Sequence, residues 1–152
     1  MLSRPGNKSI KTENLMSVHK DKFEQVLKTV VPTAIVVTGP DGIERADFNY
    51  NGVLMTLVLV GDYLVNIATM GYLPKANLAP LYRALLVENH VFLGAWFCIS
   101  DPLNAVRITN NCAMAELNTA RLTNMLAFLA GVWYQKGMQI TTGFQLTATP
   151  PV

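Results

Sequence analysis

The chain has 152 residues and a formal net charge of +2, with 51% hydrophobic and 14% charged residues. A domain of this length buries about 70% of the surface of its unfolded chain, so neither a metal nor a disulfide is required to hold it together. The charged fraction lies well below the roughly 25% of an average globular domain. Either uncharged polar residues supply the polar surface, or a partner covers apolar surface.

Basic residues are concentrated only in the first part of the chain, at Arg4, Lys8, Lys11, Lys20, Lys22 and Lys28. No aromatic residue is interleaved with them before Phe23, which favours a solvated surface over a nucleic-acid interface. The first fifteen residues lack the apolar core of a signal peptide, and no apolar stretch is long enough to span a bilayer. Two cysteines define neither a disulfide framework nor a zinc site. We therefore expect a reduced, cytoplasmic protein with no nucleic-acid partner and no membrane partner.

The N-terminal elements follow from polarity and helical spacing. Residues 1–16 are polar, which predicts a flexible lead. Apolar residues at helical spacing after Ser17 predict an amphipathic helix that ends at Pro32. Residues 33–38, TAIVVT, read as extended, and GPDG at 39–42 is typical of a turn.

Residues 46–70, ADFNYNGVLMTLVLVGDYLVNIATM, contain two hairpin turns, Asn51-Gly52 and Gly61-Asp62. They predict a three-stranded antiparallel meander and fix its register, in which Val58 lies opposite Val65. One face of the meander is predicted to be core, and it carries Ala46, Phe48, Tyr50, Val53, Met55, Leu57, Leu59, Leu64 and Ala68.

The opposite face of the meander is polar on its first strand, at Arg45, Asp47 and Asn49. On the next two strands it is apolar, with Leu54, Val58, Val60, Tyr63, Val65 and Ile67. A sheet face with six apolar side chains is rarely left in water, so we expect a helix, a partner or a second copy to cover it.

The sequence of the second half of the chain predicts a helix, then two strands, then another helix. Asn77 caps a helix that ends near Asn89, with Leu78, Leu81, Tyr82, Leu85 and Leu86 on one face. Residues 92–100 and 105–111 read as strands around a turn. A third helix runs from about Asn118, with Leu122, Met125, Leu126, Leu129 and Trp133 as its apolar stripe. The Thr-rich tail at 137–152 is compatible with an added strand or a mobile end.

The stretch ENHVFLGAWFCISDP at 88–102 gathers residue types that occur in catalytic sites. In a strand, Cys98 shares a mostly apolar face with Trp96, and His90 at a helix end offers its thiolate no stabilisation. Glu88 and Asp101 are interpreted as solvated helix-end and turn residues. Phosphate-binding, dinucleotide and hydrolase motifs do not occur, and the two histidines lie on separate elements. We predict no catalytic residue, no cofactor and no metal.

Residues 81–134 read LYRALLVENHVFLGAWFCI, a turn, AVRIT, a short linker and a long amphipathic helix. This order of elements and its apolar spacing resemble the fold of class I type III secretion chaperones and YbjN-type regulators. The resemblance covers residues 17–136 and implies an α+β domain with an antiparallel sheet. It also implies that the second helix and the following strand form a twofold interface, through Leu85, Val87, Phe92, Trp96 and Cys98. Secreted partners of such chaperones wrap them in extended form.

We therefore predict a non-enzymatic, homodimeric, chaperone-like protein that binds an extended segment of a partner polypeptide. A YbjN-type regulatory domain is one alternative, and a small-ligand sensor or enzyme with a pocket under Trp96 and Trp133 is another. The candidate interface residues are Leu85, Val87, Phe92, Trp96 and Cys98, together with Leu54, Val58, Val65 and Ile67 on the second sheet face.

Overall fold

A computed structural model of the chain describes residues 7–76, 78–91 and 93–150. The fold is α+β, as predicted. Its elements in chain order are α1 (Asn7–Val30), β1 (Val37–Thr38), β2 (Glu44–Tyr50), β3 (Val53–Val60), β4 (Tyr63–Tyr72), α2 (Leu78–Val91), β5 (Trp96–Ser100), β6 (Ala105–Ala113), α3 (Thr119–Val132) and α4 (Met138–Gly143).

The described strands form one antiparallel sheet in the order β1-β2-β3-β4-β6-β5. Both hairpins have the predicted register, and Val58 is directly opposite Val65. Asn51 and Gly52 have φ values of +50° and +84°, the signs that a type I′ turn needs at both central positions. The turn chemistry therefore decides which side chains share a face of the sheet.

The core lies on one face of the sheet, under α1 and α3. Phe23 and Leu27 from α1 and Leu122 and Leu126 from α3 are buried there, and the two helices contact each other. The predicted core face of the meander is buried except for Tyr50, which is half-buried. Both helices pack on this face through one apolar stripe, and no helix of the described residues packs on the other face of the sheet.

Two asparagine side chains are buried in this core. Asn66 and Asn110 lie directly opposite each other on β4 and β6. The side-chain nitrogen of Asn110 donates to the carbonyl of Met125 at 2.9 Å, which ties α3 to β6. Buried polar groups are normally hydrogen-bonded, and this contact fixes the height of α3 above the sheet.

Helix α1 begins at Asn7, ten residues before the predicted start, so residues 7–16 are helical rather than a flexible lead. Most residues of this stretch, with Lys, Leu, Met and Glu among them, tolerate a helix without any apolar stripe, which is why periodicity missed it. The expected cap of α2 at Asn77 lies outside the described residues. Strand β5 begins only at Trp96, four residues later than predicted.

The start of α3 is confirmed, because Asn118 caps it by accepting the N–H of Arg121 at 2.8 Å. After α3 the chain makes one π-helical turn, Trp133–Gly137, and continues as α4. A Cβ atom on Gly137 would lie 3.1 Å from Cδ1 of Ile108, so glycine allows this turn to approach β6 closely. The tail therefore contains a short helix, followed by a single bridge between Thr147 and Tyr72.

Candidate protein-binding surfaces

The face of the sheet opposite α1 and α3 is called here the outer sheet face. Its apolar members on β3 and β4 are Leu54, Val58, Val60, Tyr63, Val65 and Ile67. Leu54, Val60 and Tyr63 are exposed, by 68%, 53% and 54%, and the other three are half-buried. No helix among the described residues covers this face, so coverage by the chain's own helix, one of the three expected possibilities, is not what the structure has.

Polar side chains border the outer sheet face along β2. Asp47 accepts a hydrogen bond from the hydroxyl of Thr56 at 2.5 Å, and Arg45 pairs with Asp41 at the edge of the sheet. The side chain of Asn49 accepts the N–H of Gly52 and so belongs to the hairpin turn. An apolar centre with a polar border is the usual anatomy of a protein interface.

The second exposed apolar area lies on α2 and is called here the α2 surface. It consists of Tyr82, Leu86, Val87 and Val91, which are 41%, 70%, 54% and 61% exposed. The sequence predicted Tyr82 and Leu86 on the buried face with Leu81 and Leu85, but only the latter two are buried. Helix α2 carries more apolar residues than one stripe can bury. This excess of apolar residues in the sequence could have indicated that some of them are exposed.

The predicted interface residues near α2 are placed differently from one another. Val87 is exposed on α2, Trp96 is 46% exposed on β5, and Cys98 is half-buried beside it. Leu85 is 5% exposed and forms the floor of a shallow depression between α2 and β5. Phe92 lies outside the described residues.

Asn89 fastens α2 to the free edge of β5. Its side-chain oxygen accepts the N–H of Phe97 at 2.6 Å, and its side-chain nitrogen donates to the carbonyl of Phe97 at 2.9 Å. One side chain therefore substitutes for a neighbouring strand at this residue, and an exposed edge of that kind otherwise invites pairing with another chain. The α2 surface is held in a fixed position beside β5 as a result.

The candidate catalytic residues of the 88–102 stretch are dispersed. Glu88 pairs with Lys136 at 3.4 Å, His90 is exposed at the end of α2, and Asp101 lies in the turn after β5. The other histidine, His19, lies on α1, and its Nε2 is 2.9 Å from Oδ1 of Asp62. The two histidines therefore lie on different helices. Among the residues that the structure describes, no three His, Cys, Asp or Glu side chains form a group able to hold a metal.

Both thiols have environments unsuited to nucleophilic chemistry. Burial raises the pKa of Cys98, and the hydrogen bond with Thr109 and the charge of Arg107 only partly oppose it. Burial likewise raises the pKa of Cys112. Reactive cysteines need the opposite shift, because the thiolate is the nucleophile.

Alkylation of these thiols tests their environments. At pH 7.5 we expect iodoacetamide to modify Cys98 and Cys112 several-fold more slowly in the folded protein than in denaturant, because the raised pKa leaves less thiolate and burial limits access. The rate should rise as the pH is increased towards 10. Modification of the folded protein faster than that of the unfolded chain would contradict this description.

Trp96 and Trp133 do not share a pocket, contrary to the expectation of a ligand site beneath both. Trp96 points to the outer side of β5, whereas Trp133 packs at the edge of the core beside Gly137. Alternation of side chains along β5 separates them, and the sequence alone did not place α3 relative to that strand. The aromatic residue that shares a groove with Trp96 is Phe128 of α3.

No protein-family model matches the chain, and no curated protein matches it by sequence. Solved structures do match. A chain of the HopA1–SchA chaperone–effector complex is 11% identical over 82% of this chain and 97% of that one, with a TM-score of 0.61. A chain from the structure of the Yersinia pestis type III secretion chaperone SycH with a fragment of YscM2 is 13% identical over 80% and 98%, with a TM-score of 0.53.

The structure of YbjN from E. coli is similar to the same degree, 16% identical over 84% of this chain and 93% of that chain, with a TM-score of 0.58. The chain therefore has the fold of the type III secretion chaperones and of YbjN, as the order of elements predicted. Within the described residues, no helix is both long and apolar enough to cross a bilayer.

Proposed function

We propose that the protein is a non-enzymatic, homodimeric domain that binds an extended segment of a partner polypeptide. The observation that carries this proposal is the outer sheet face, where apolar side chains of β3 and β4 lie side by side without a covering element among the described residues. Burial of such side chains is favourable by roughly 25 cal/mol per Å². A partner that covers this face gains that free energy.

The α2 surface serves the homodimer in this proposal. A twofold axis beside α2 brings Leu86 and Val87 of each copy together and places Trp96 and Cys98 at the margin of the contact. Twofold interfaces are self-complementary, and a single apolar helix satisfies that condition simply. The dimer leaves both outer sheet faces available for the partner polypeptide.

The raised pKa values of both thiols and the dispersal of the histidines and carboxylates support a role in binding rather than catalysis. Two free cysteines suit a reducing, cytoplasmic compartment. Similarity to complexes of chaperones with effectors supports a polypeptide as the ligand.

A YbjN-type regulatory role is the second candidate, because the fold matches YbjN as well as it matches the chaperones. The two candidates differ in the state of the partner. A chaperone-like protein holds a segment that is unfolded on its own, whereas a regulatory domain is expected to bind a folded partner.

Affinity purification from the native cells tests the proposed function. We expect the wild-type protein to bring down one polypeptide whose bound segment is protease-sensitive after release, and we expect the Val58→Lys variant to lose it by at least ten-fold. Gln25→Lys adds the same charge to an exposed position on α1 and serves as the control. Equal recovery by Val58→Lys would refute a role for the outer sheet face, and a partner that is folded on release would favour the regulatory candidate.

A further inference from the structure

The end of β6 offers an open strand edge. Strand β5 begins at Trp96, which pairs with Thr109, and among the described residues 110–113 pair only with β4. The chain approaches β5 through Gly94, whose φ of +97° turns it before it can run beside the rest of β6. Another extended segment can add a strand at this edge, since its hydrogen-bonding groups are not used by β5.

A groove of about 500 Å³ lies along this open edge, between β6 and α3. Its α3 wall is formed by Arg121, Asn124 and Phe128, at positions i, i+3 and i+7 of one helix face. Leu93 and Trp96 form the opposite wall. Both aromatic rings are partly exposed, 42% for Phe128 on the helix side of the sheet and 46% for Trp96 on its outer side, so an apolar side chain that points to the helix side can pack against Phe128.

Polar groups lie at the other end and at the floor of the groove. Arg121 is exposed and interacts with the thiol of Cys112, and no carboxylate of the described residues forms a salt bridge with it. Asn110 at the floor is 4% exposed, and its side-chain oxygen accepts no hydrogen bond from the described residues.

The dimensions of the groove fit a short extended segment. The helix rises about 10 Å from Arg121 to Phe128, whereas alternate residues of a strand lie about 7 Å apart, and the long side chain of Arg121 can span the difference. Alternate side chains of a strand point to the same side, so a segment with an aromatic side chain packed against Phe128 directs the side chain two residues away towards Arg121. A carboxylate at that position pairs with the guanidinium.

We propose that this groove binds an extended polypeptide segment that pairs with the open edge of β6 and carries an aromatic residue and an acidic residue two positions apart. The proposal rests on the proposed function in taking a polypeptide as the ligand, and it adds a site with its own sequence preference. None of the residues that line the groove belongs to β3 or β4, so the site is separable from the apolar centre of the outer sheet face.

A symmetric peptide tests the groove in either chain direction. The probe is Thr-Asp-Val-Phe-Val-Asp-Thr with blocked ends and a fluorescent label, titrated by anisotropy into the full chain. We expect a Kd of about 1 mM or tighter, weakened at least ten-fold by Arg121→Glu and by Phe128→Ala. A second probe with lysine in place of both aspartates should bind Arg121→Glu better than the wild-type protein.

Control variants separate this site from the other surfaces. Arg83→Glu makes the same charge change at an exposed position of α2 and should leave binding of the probe unchanged, as should Val58→Lys on the outer sheet face. Thermal melting confirms that each variant is folded. Absence of binding to the wild-type protein, insensitivity to both groove variants, or binding only to a variant whose dimer is broken would each overturn the proposal. Recovery of the native partner by Val58→Lys decides the proposed function independently.

Discussion

Replacement of Leu57 by lysine is expected to abolish stable folding, whereas replacement of its neighbour Val58 by lysine is expected to leave the melting temperature almost unchanged. Leu57 is fully buried on the core face of β3, and Val58 is half-buried on the outer sheet face. A lysine at position 57 places an unpaired charge in the core, at a cost of about 3–5 kcal/mol or more. That cost is comparable with the whole stability of a typical domain, about 5–15 kcal/mol.

A lysine at position 58 can extend its charged end into water, so we expect a loss of at most about 1 kcal/mol, or roughly 2–4 °C in a chain of this size. Circular dichroism during thermal melting measures both variants under the same conditions. A strongly destabilised Val58→Lys variant would mean that a second copy or a segment of the chain covers the outer sheet face in the isolated protein. The two positions differ by one residue, so the comparison also tests the register of the meander.

The second large effect is expected from Leu86→Asp, which should convert the proposed homodimer into a monomer. Leu86 is 70% exposed in the single chain and central in the α2 surface. In a twofold dimer the substitution is present in both copies, so the burial of two leucine side chains is lost. The free energy of dimerisation is therefore weakened by about 3–6 kcal/mol, and the dissociation constant rises at least about 100-fold. Light scattering at micromolar concentration should give twice the chain mass of 16.7 kDa for the wild-type protein and the single mass for the variant.

Gln25→Asp provides the matched control for dissociation, because it adds the same charge to an exposed position on α1. It should remain dimeric. A monodisperse wild-type monomer would remove the dimer from the proposed function. A dimer that persists in Leu86→Asp would place the contact elsewhere, and the outer sheet face would then be the first surface to examine.

The meander was predictable from sequence because its turns are local. Asn51-Gly52 and Gly61-Asp62 fix the pairing of three strands without reference to the rest of the chain, and the register followed directly. Periodicity also identified the buried stripe of α3 and its cap at Asn118. The order of these elements was sufficient to indicate the chaperone-like fold.

The α2 surface and the groove were not predictable, because they depend on how distant elements pack. Tyr82 and Leu86 have the same helical spacing as buried residues, and only the position of α2 beside β5 exposes them. The groove requires Phe128 of α3 to lie near Gly94, just before β5, a relation that no local pattern carries. The role of Asn89 likewise appears only once Phe97 lies beside it.

Site-specific photo-crosslinking in the native cells tests most directly whether a partner polypeptide covers the outer sheet face. A photoreactive phenylalanine analogue at Leu54, which is 68% exposed on this face, is compared with the same analogue at the exposed Gln25 of α1. We predict a crosslink from position 54 to a different polypeptide and none from position 25. A crosslink from position 54 only to another copy of this chain, or a partner captured from position 25 alone, would contradict the account.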